Sequence, residues 1–279
     1  MKKVLIPFLF CAFISITGFS QVRMPAPSPT QFISQDFGLS SIELTYSRPG
    51  LKGRNVFGNV VLYDSLWRTG ANAATKIKFN DPVEILGHKV DTGSYAIYTI
   101  PHKNGEWTFI LNKGFNNSGV GGYQQSDDVL RENVKANKTA NKIETFTMQF
   151  TNVKPQSCDL TLMWDNIVVN IPIKENITDQ IRAQIESALS SDKKPYWQAA
   201  QFYNEYDNNK TKALEMVNEA IQQSGKAPFF MVYYKARIQK DLGDKKGAIA
   251  SAKQSIELAK EAGNSDYVLL NEKLIKETK

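Results

Sequence analysis

Cysteine is nearly missing from this chain: of 279 residues only Cys11 and Cys158 carry a thiol, and Cys11 lies inside an apolar leader. With that leader removed, no intramolecular disulfide can form even on an oxidising export route, so stability must rest on core burial. Histidine is equally scarce, limited to His88 and His102, both beside turn residues. So few imidazoles and thiols leave no spacing suited to zinc, and neither a metal nor a cofactor is expected. Long apolar runs are lacking too. Residues 4–16 form the longest, short of the roughly 20 needed to cross a bilayer, so no transmembrane span is expected once the leader is gone. Blocks of one charge sign are also absent. The formal charge of +6 is scattered among acids and falls by two with Lys2 and Lys3, which argues against a nucleic-acid partner. No GxSxG elbow occurs.

What is present begins with that leader. Lys2 and Lys3 make a basic start, residues 4–16 the apolar stretch, and Gly18 and Ser20 place small residues before Gln21. This pattern predicts a signal peptide over residues 1–20 and export to the periplasm or beyond the cell. Phe10 stands where a lipidated cysteine is normally preceded by a small residue, so a soluble product is expected rather than a lipoprotein.

After the Pro-rich entry "RMPAPSPT" the hydropathy alternates with period two, as in "SIELTYS", "TKIKF", "PVEIL", "SYAIYTI", "EWTFIL", "IETFTMQF", "CDLTLMW" and "NIVVNIPI". The segments "LGHK", "DTGS" and "HKNGEW" supply turn residues between them. About eight short strands without long intervening helices predict an antiparallel β-sandwich or barrel-like domain over residues 21–174. In "SYAIYTI", Tyr95, Ile97 and Thr99 should share one face and Ala96, Tyr98 and Ile100 the other, with the buried face left open.

From Ile177 the spacing turns helical. "TDQIRAQIESAL" places Ile181, Ile185, Ala188 and Leu189 on one face, with Thr178 or Asp179 positioned to cap its start. Residues 175–194 read as a connecting helix and linker, and residues 195–279 as helices broken at "DNNK", "SGKAP", "LGDK" and "AGNS". Ala200 and Ala236 are 36 apart, and Ala213 and Ala248 are 35 apart. That echo resembles tetratricopeptide repeats, whose period is about 34 residues. In "ARIQKDLGDKKGAIASA", Ala236, Gly243 and Ala248 fall at that family's small-residue positions; the earlier copy lacks the Gly. The resulting fold class is α+β and multidomain, a β-sandwich followed by helical hairpins.

"YSRP" at residues 46–49, "KGR" at 52–54, "WRTGANAAT" at 67–75 and "GSYAIYTIP" at 93–101, followed by Trp107, occur in that order. In order and spacing they resemble the secreted bacterial family called domain of unknown function 2911, over most of residues 27–173. The resemblance implies a β domain, a source among Bacteroidetes and their relatives, and a tetratricopeptide-like tail in many members. It implies no activity. Phe57 stands where the family pattern usually has Trp.

Ligand-binding candidates come from these motifs. Arg48, Arg54 and Arg68, with Asn72 and Thr75, flank predicted strand ends; gathered on one rim, they would hold a carboxylate, phosphate or sulfate. The alternative is that each Arg fastens a loop by pairing with an acid or with carbonyl oxygens. Trp67 and Tyr98, with Tyr95, Trp107 and Tyr123, either form a platform for stacking a sugar or fill the core. The Gly-rich run "GVGGYQQSDD" at 119–128 lacks the Lys-Ser or Lys-Thr ending of a phosphate loop and reads as a mobile loop over the rim. Two functions are carried forward. The first is an exported, non-catalytic binding or scaffolding protein of the bacterial envelope, with an anionic or glycan ligand on the β domain and a protein or peptide partner on the tail. The second is a hydrolase of an envelope polysaccharide or ester, with its site at Arg68 and Asn72. Asp81, Glu84, Asp91 and Glu106 read as solvated turn acids, or would include the paired carboxylates, roughly 5–9 Å apart, that glycoside hydrolysis needs.

Overall fold

The period-two segments become strands of one antiparallel sheet. The computed structural model describes residues 24–279, so the leader expected over residues 1–20 lies outside the described residues. The strands are β1 (Thr30–Phe37), β2 (Ser40–Ser47), β3 (Thr75–Phe79), β4 (Val83–Ile85), β5 (His88–Val90), β6 (Gly93–Pro101), β7 (Glu106–Asn112), β8 (Asp128–Lys154) and β9 (Ser157–Lys174). They pair in the order β1-β2-β3-β6-β7-β8-β9-β4-β5.

That order forces the sheet to curl. β3 and β4 stand far apart in it, yet residues 80–82 alone join them, a reach of about 14 Å at most. Main-chain bonds close the curl again: Leu51 N–H donates to Glu144 O at 2.8 Å and Phe146 N–H to Pro49 O at 2.9 Å. β8 carries the chain between the halves, pairing Lys135 with Glu106 of β7 and Ala136 with Val169 of β9. Its register slips between Lys138 and Ile143, the kind of irregularity that lets a long strand bend.

One core lies inside the curl. Ile42, Leu44 and Tyr46 from β2 and Ile77 and Phe79 from β3 meet Leu160, Leu162 and Ile171 from β9. At its centre Trp67 stacks on Trp164 at 5.8 Å and meets Phe146 at 5.1 Å and Trp107 at 6.0 Å, both edge-on. Phe57 joins this group against Trp107 at 5.2 Å. β6 is buried on both faces: Tyr95 and Ile97 enter the main core, while Ala96 and Tyr98 pack with Ile110, Leu66 and Tyr123 beneath the loops outside. Cys158 is fully enclosed, and burial, helped by the charge of Asp159, pushes its thiol up to about 12. We expect no reaction with a thiol reagent at pH 8 until denaturant unfolds the β domain, followed in a stopped assay by one equivalent per chain; rapid labelling of the native protein would contradict this.

Six helices follow among the described residues: α1 (Thr178–Leu189), α2 (Tyr196–Glu205), α3 (Lys210–Gln223), α4 (Phe229–Asp241), α5 (Lys245–Glu261) and α6 (Ser265–Thr278). The sequence breaks supply caps, with Asn209, Asp244 and Asn264 accepting from Lys212, Gly247 and Tyr267 backbone N–H groups, each capping bond worth about 1 kcal/mol. The cap expected at α1 is corrected. Ile177 occupies that position without a side-chain bond, and the Thr178 hydroxyl donates to Gln156 at 3.2 Å, tying the helix to the β8–β9 turn. Ala200, Ala213, Ala236 and Ala248 are all fully buried, which allows the paired helices to approach closely.

Where sheet passes to helices, the Glu175 carboxylate sits so close to Gly38 that a Cβ there would collide with it. Burial first, then the charge of Asp81, raises the carboxyl pKa, opposed by a hydrogen bond from the Leu39 backbone. A raised folded-state pKa means the native state binds the proton more tightly than the unfolded chain. This stability is present at low pH and is lost as pH rises through the folded-state value. Glu175→Gln is therefore expected to raise Tm near pH 8 by roughly 2–4 °C and to have little effect near pH 4; a fall in Tm at pH 8 would contradict the assignment.

Candidate functional site

Residues 67–75 are laid against β6 and held by their own side chains. Trp67 and Thr99 exchange backbone hydrogen bonds at 2.8 and 2.9 Å, and the Trp67 indole N–H donates to Gly70 O at 2.9 Å. Thr75 Oγ1 donates to Thr69 O at 2.6 Å, and Asn72 Nδ2 donates to Ser28 O at 3.2 Å and to Ser47 Oγ at 3.3 Å. Thr69 and Asn72 have φ of 53° and 60°, a conformation that costs a β-branched residue of order 1–3 kcal/mol and persists only when its surroundings hold it. Gly70 is needed for space: a Cβ would lie 3.0 Å from Ser47 O and 3.1 Å from Thr75 Oγ1. Trp67, Asn72 and Thr75 thus act as fasteners of this segment.

The three candidate arginines do not share one task. Arg48 donates to Phe146 O at 3.1 Å and to Thr147 Oγ1 at 2.8 Å, joining the end of β2 to β8. Arg54 donates to Leu51 O at 3.0 Å and Gly50 O at 2.8 Å within its own turn. Both are spent on internal acceptors, Arg54 on carbonyls and Arg48 on a carbonyl and a hydroxyl, the loop-fastening alternative. Arg68 differs. Its Nε is buried and has no partner among the described residues, although native structures rarely leave a buried donor unpaired.

Above Arg68 lies the Gly-rich loop. A Cβ on Gly119, whose φ is +69°, would come within 2.8 Å of Arg68 Nη1. Tyr98 is fully buried; its hydroxyl donates to Gly119 O at 3.2 Å and accepts from Asn117 Nδ2 at 3.3 Å. It is therefore a prop beneath the loop and presents no open ring face for a sugar. Sequence reasoning missed the residues that hold the loop's ends. Asn112, fully buried, accepts from Gly114 N at 2.8 Å and donates to Gln124 O at 2.9 Å and Asp128 Oδ1 at 2.8 Å. Asp128 Oδ2 in turn accepts from the Tyr123 hydroxyl at 2.9 Å and from Arg131 Nε at 3.0 Å. The Tyr123 hydroxyl finds these partners although burial, with Asp128 beside it, raises its pKa. An Asn ahead of the glycines and an Asp-x-x-Arg behind them were the available signal.

Other chemistry lies elsewhere. Asp64 Oδ1 meets His102 Nδ1 at 2.6 Å, and His102 Nε2 meets Thr108 Oγ1 at 2.8 Å, the order of a base-activated hydroxyl. Thr108 is only 8% exposed, and its single hydroxyl proton goes to Asn133 Oδ1 at 2.9 Å, so toward His102 it accepts and is not activated in this arrangement. Asp81, Glu84 and Asp91 line a cleft of about 780 Å³ beside Glu175, Lys89 and Lys174. Glu106 is tied up with Asn104. Among the described residues no group of His, Cys, Asp and Glu is arranged to hold a metal ion, and no helix is long and apolar enough to cross a membrane.

A curled nine-stranded antiparallel sheet around one aromatic core, followed by six helices, defines an α+β protein. Residues 28–173, more than half of the chain, match the family described as Protein of unknown function (DUF2911), and the protein belongs to that family. No curated protein and no solved structure matches the chain.

Proposed function

We propose that this is an exported, non-catalytic binding protein of the bacterial envelope, whose β domain holds an anionic or glycan ligand at Arg68. One observation carries the reading: Arg68 keeps a buried, unpartnered Nε beneath a glycine loop while Arg48 and Arg54 are satisfied by internal acceptors. A guanidinium so placed has its geometry set in advance by the fastened segment, and a ligand oxyanion supplies the missing acceptor. The leader pattern supports export, and the helical tail, tetratricopeptide-like in its 35- and 36-residue echo, supports a protein or peptide partner. Calorimetric titration with acetate, sulfate, phosphate and uronic acids tests the β-domain reading. A charge-assisted hydrogen bond contributes about 1.5–3 kcal/mol, so Arg68→Ala is expected to weaken binding by roughly 10- to 150-fold while near-UV circular dichroism stays unchanged. Equal binding by both proteins would remove Arg68 from the site. For the tail, residues 175–279 produced alone should fold and capture a partner; an unfolded fragment would mean that the helices only pack on the β domain.

A second reading, hydrolysis of an envelope polysaccharide or ester, requires the Asp64–His102–Thr108 chain, away from the Arg68 rim, with the Thr108 proton turned from Asn133 to His102. Hydrolysis of p-nitrophenyl acetate that disappears in Thr108→Val would favour it, and equal rates for wild type and variant would remove it.

A further inference from the structure

The loop over Arg68 has the construction of a hinged flap. Its ends are held by the Asn112, Tyr123, Asp128 and Arg131 bonds given above and by Arg131 Nη2 donating to the Tyr123 hydroxyl at 2.5 Å, all between 2.5 and 3.0 Å. Its middle is held to the sheet by longer ones, Tyr98 Oη to Gly119 O at 3.2 Å, Asn117 Nδ2 to Tyr98 Oη at 3.3 Å and Ala74 N to Asn117 O at 3.4 Å. Three glycines, Gly119, Gly121 and Gly122, occupy this stretch, and Gly119 and Gly122 have positive φ. Val120 is 46% exposed at the tip. Short bonds at two fixed ends and long bonds over a glycine centre describe a segment that opens locally at low cost.

The charge pattern narrows the ligand. Asp128 is matched by Arg131 at the loop's base, and Lys76 leans on the loop through Asn116 at 3.2 Å. Arg68 Nε is left without an acceptor at this spot among the described residues, and Lys76 meets only the neutral Asn116 amide and the Phe115 ring. A single guanidinium balances a monoanion, and its Nε edge presents two parallel N–H groups that fit the two oxygens of a planar carboxylate.

Resting on the anion-binding reading, we propose that residues 114–123 form a lid that lifts to admit a carboxylate to the Nε edge of Arg68 and closes over it. The carboxylate belongs to a uronic acid of a glycan or to the end of a peptide.

The test follows the Arg68 Nε–H resonance by nitrogen-15 NMR in the full mature chain, together with amide exchange of residues 114–123. Sodium acetate, glucuronate, N-acetylalanine, sulfate and phosphate are added at matched ionic strength. The expected result is a saturable shift with the carboxylates, at least fivefold slower exchange in the loop, and at least tenfold weaker binding in Arg68→Lys, which keeps the charge but loses the fork. Tighter binding of glucuronate or of N-acetylalanine then assigns the source to glycan or peptide. If sulfate or phosphate saturates Arg68 more tightly than any carboxylate, the carboxylate assignment is overturned while anion binding stands. If carboxylates bind without slowing loop exchange, the lid is overturned. If no anion moves the resonance, both the lid and the anion-binding reading fall.

Discussion

Replacing Trp67 with Ala is expected to destabilise the β domain by about 3–5 kcal/mol, the range for removing a large buried aromatic side chain. The indole is in contact with Phe146, Trp107 and Trp164, and it holds the Gly70 carbonyl through its N–H. Its loss opens a cavity at the centre of the core and also unhooks the segment that presents Arg68. The measurement is urea denaturation followed by circular dichroism, reading the change in midpoint at constant slope. A loss below about 1 kcal/mol would mean that the core closes over the gap, against the packing described here. Trp67→Phe separates the two roles, keeping an aromatic ring while removing the bond to Gly70.

Asn112→Ala carries the second large effect. Asn112 has no exposed surface and joins Gly114, Gln124 and Asp128. Truncation strands the Gly114 N–H and removes a donor from the Asp128 carboxylate, and an unsatisfied buried group costs about 1–3 kcal/mol, more when charged. A destabilisation of roughly 2–3 kcal/mol is expected, with faster amide exchange concentrated in residues 113–124. Uniform acceleration across the β domain, with the loop no different from the strands, would show that Asn112 supports the sheet and not the flap.

Period two exposed most of the sheet because one face of β2 and β3 enters the core while the other stays partly wet. It overlooked β1, an edge strand whose "TQFISQDF" is exposed at every second position and half-buried elsewhere except at Phe37, which enters the core. It caught only the second part of β8, "IETFTMQF", because "NVKANKTANK" resembles a linker where the strand passes between layers in contact with solvent, and it read β9 as two strands, "CDLTLMW" and "NIVVNIPI". β6 could not be oriented from sequence, since both of its faces are buried. Helix ends were clearer: capping residues and glycines mark them locally, and α5 fills the interval between "LGDK" and "AGNS".

The candidate site was readable as a list and not as an arrangement. "WRTGANAAT" is a held loop, with Trp67 in the core and Gly70 in close contact with Ser47 and Thr75. The fate of the arginines depended on distant partners: Phe146 and Thr147 lie nearly a hundred residues from Arg48. Asn112, Asp128 and Arg131 are short-range partners of the glycine loop, but their roles emerge only once β7 and β8 are paired on either side of it.

The central claim is that Arg68 is held ready for an anion that the protein itself does not supply. Anomalous diffraction from a bromide-soaked crystal of the mature chain tests it most directly. The account predicts a bromide peak at hydrogen-bonding distance, about 3.3 Å, from Arg68 Nε, with residues 114–123 displaced or closed over it. A protein oxygen bonded to Nε, with no peak beside the guanidinium, would contradict it and make Arg68 a third loop fastener alongside Arg48 and Arg54.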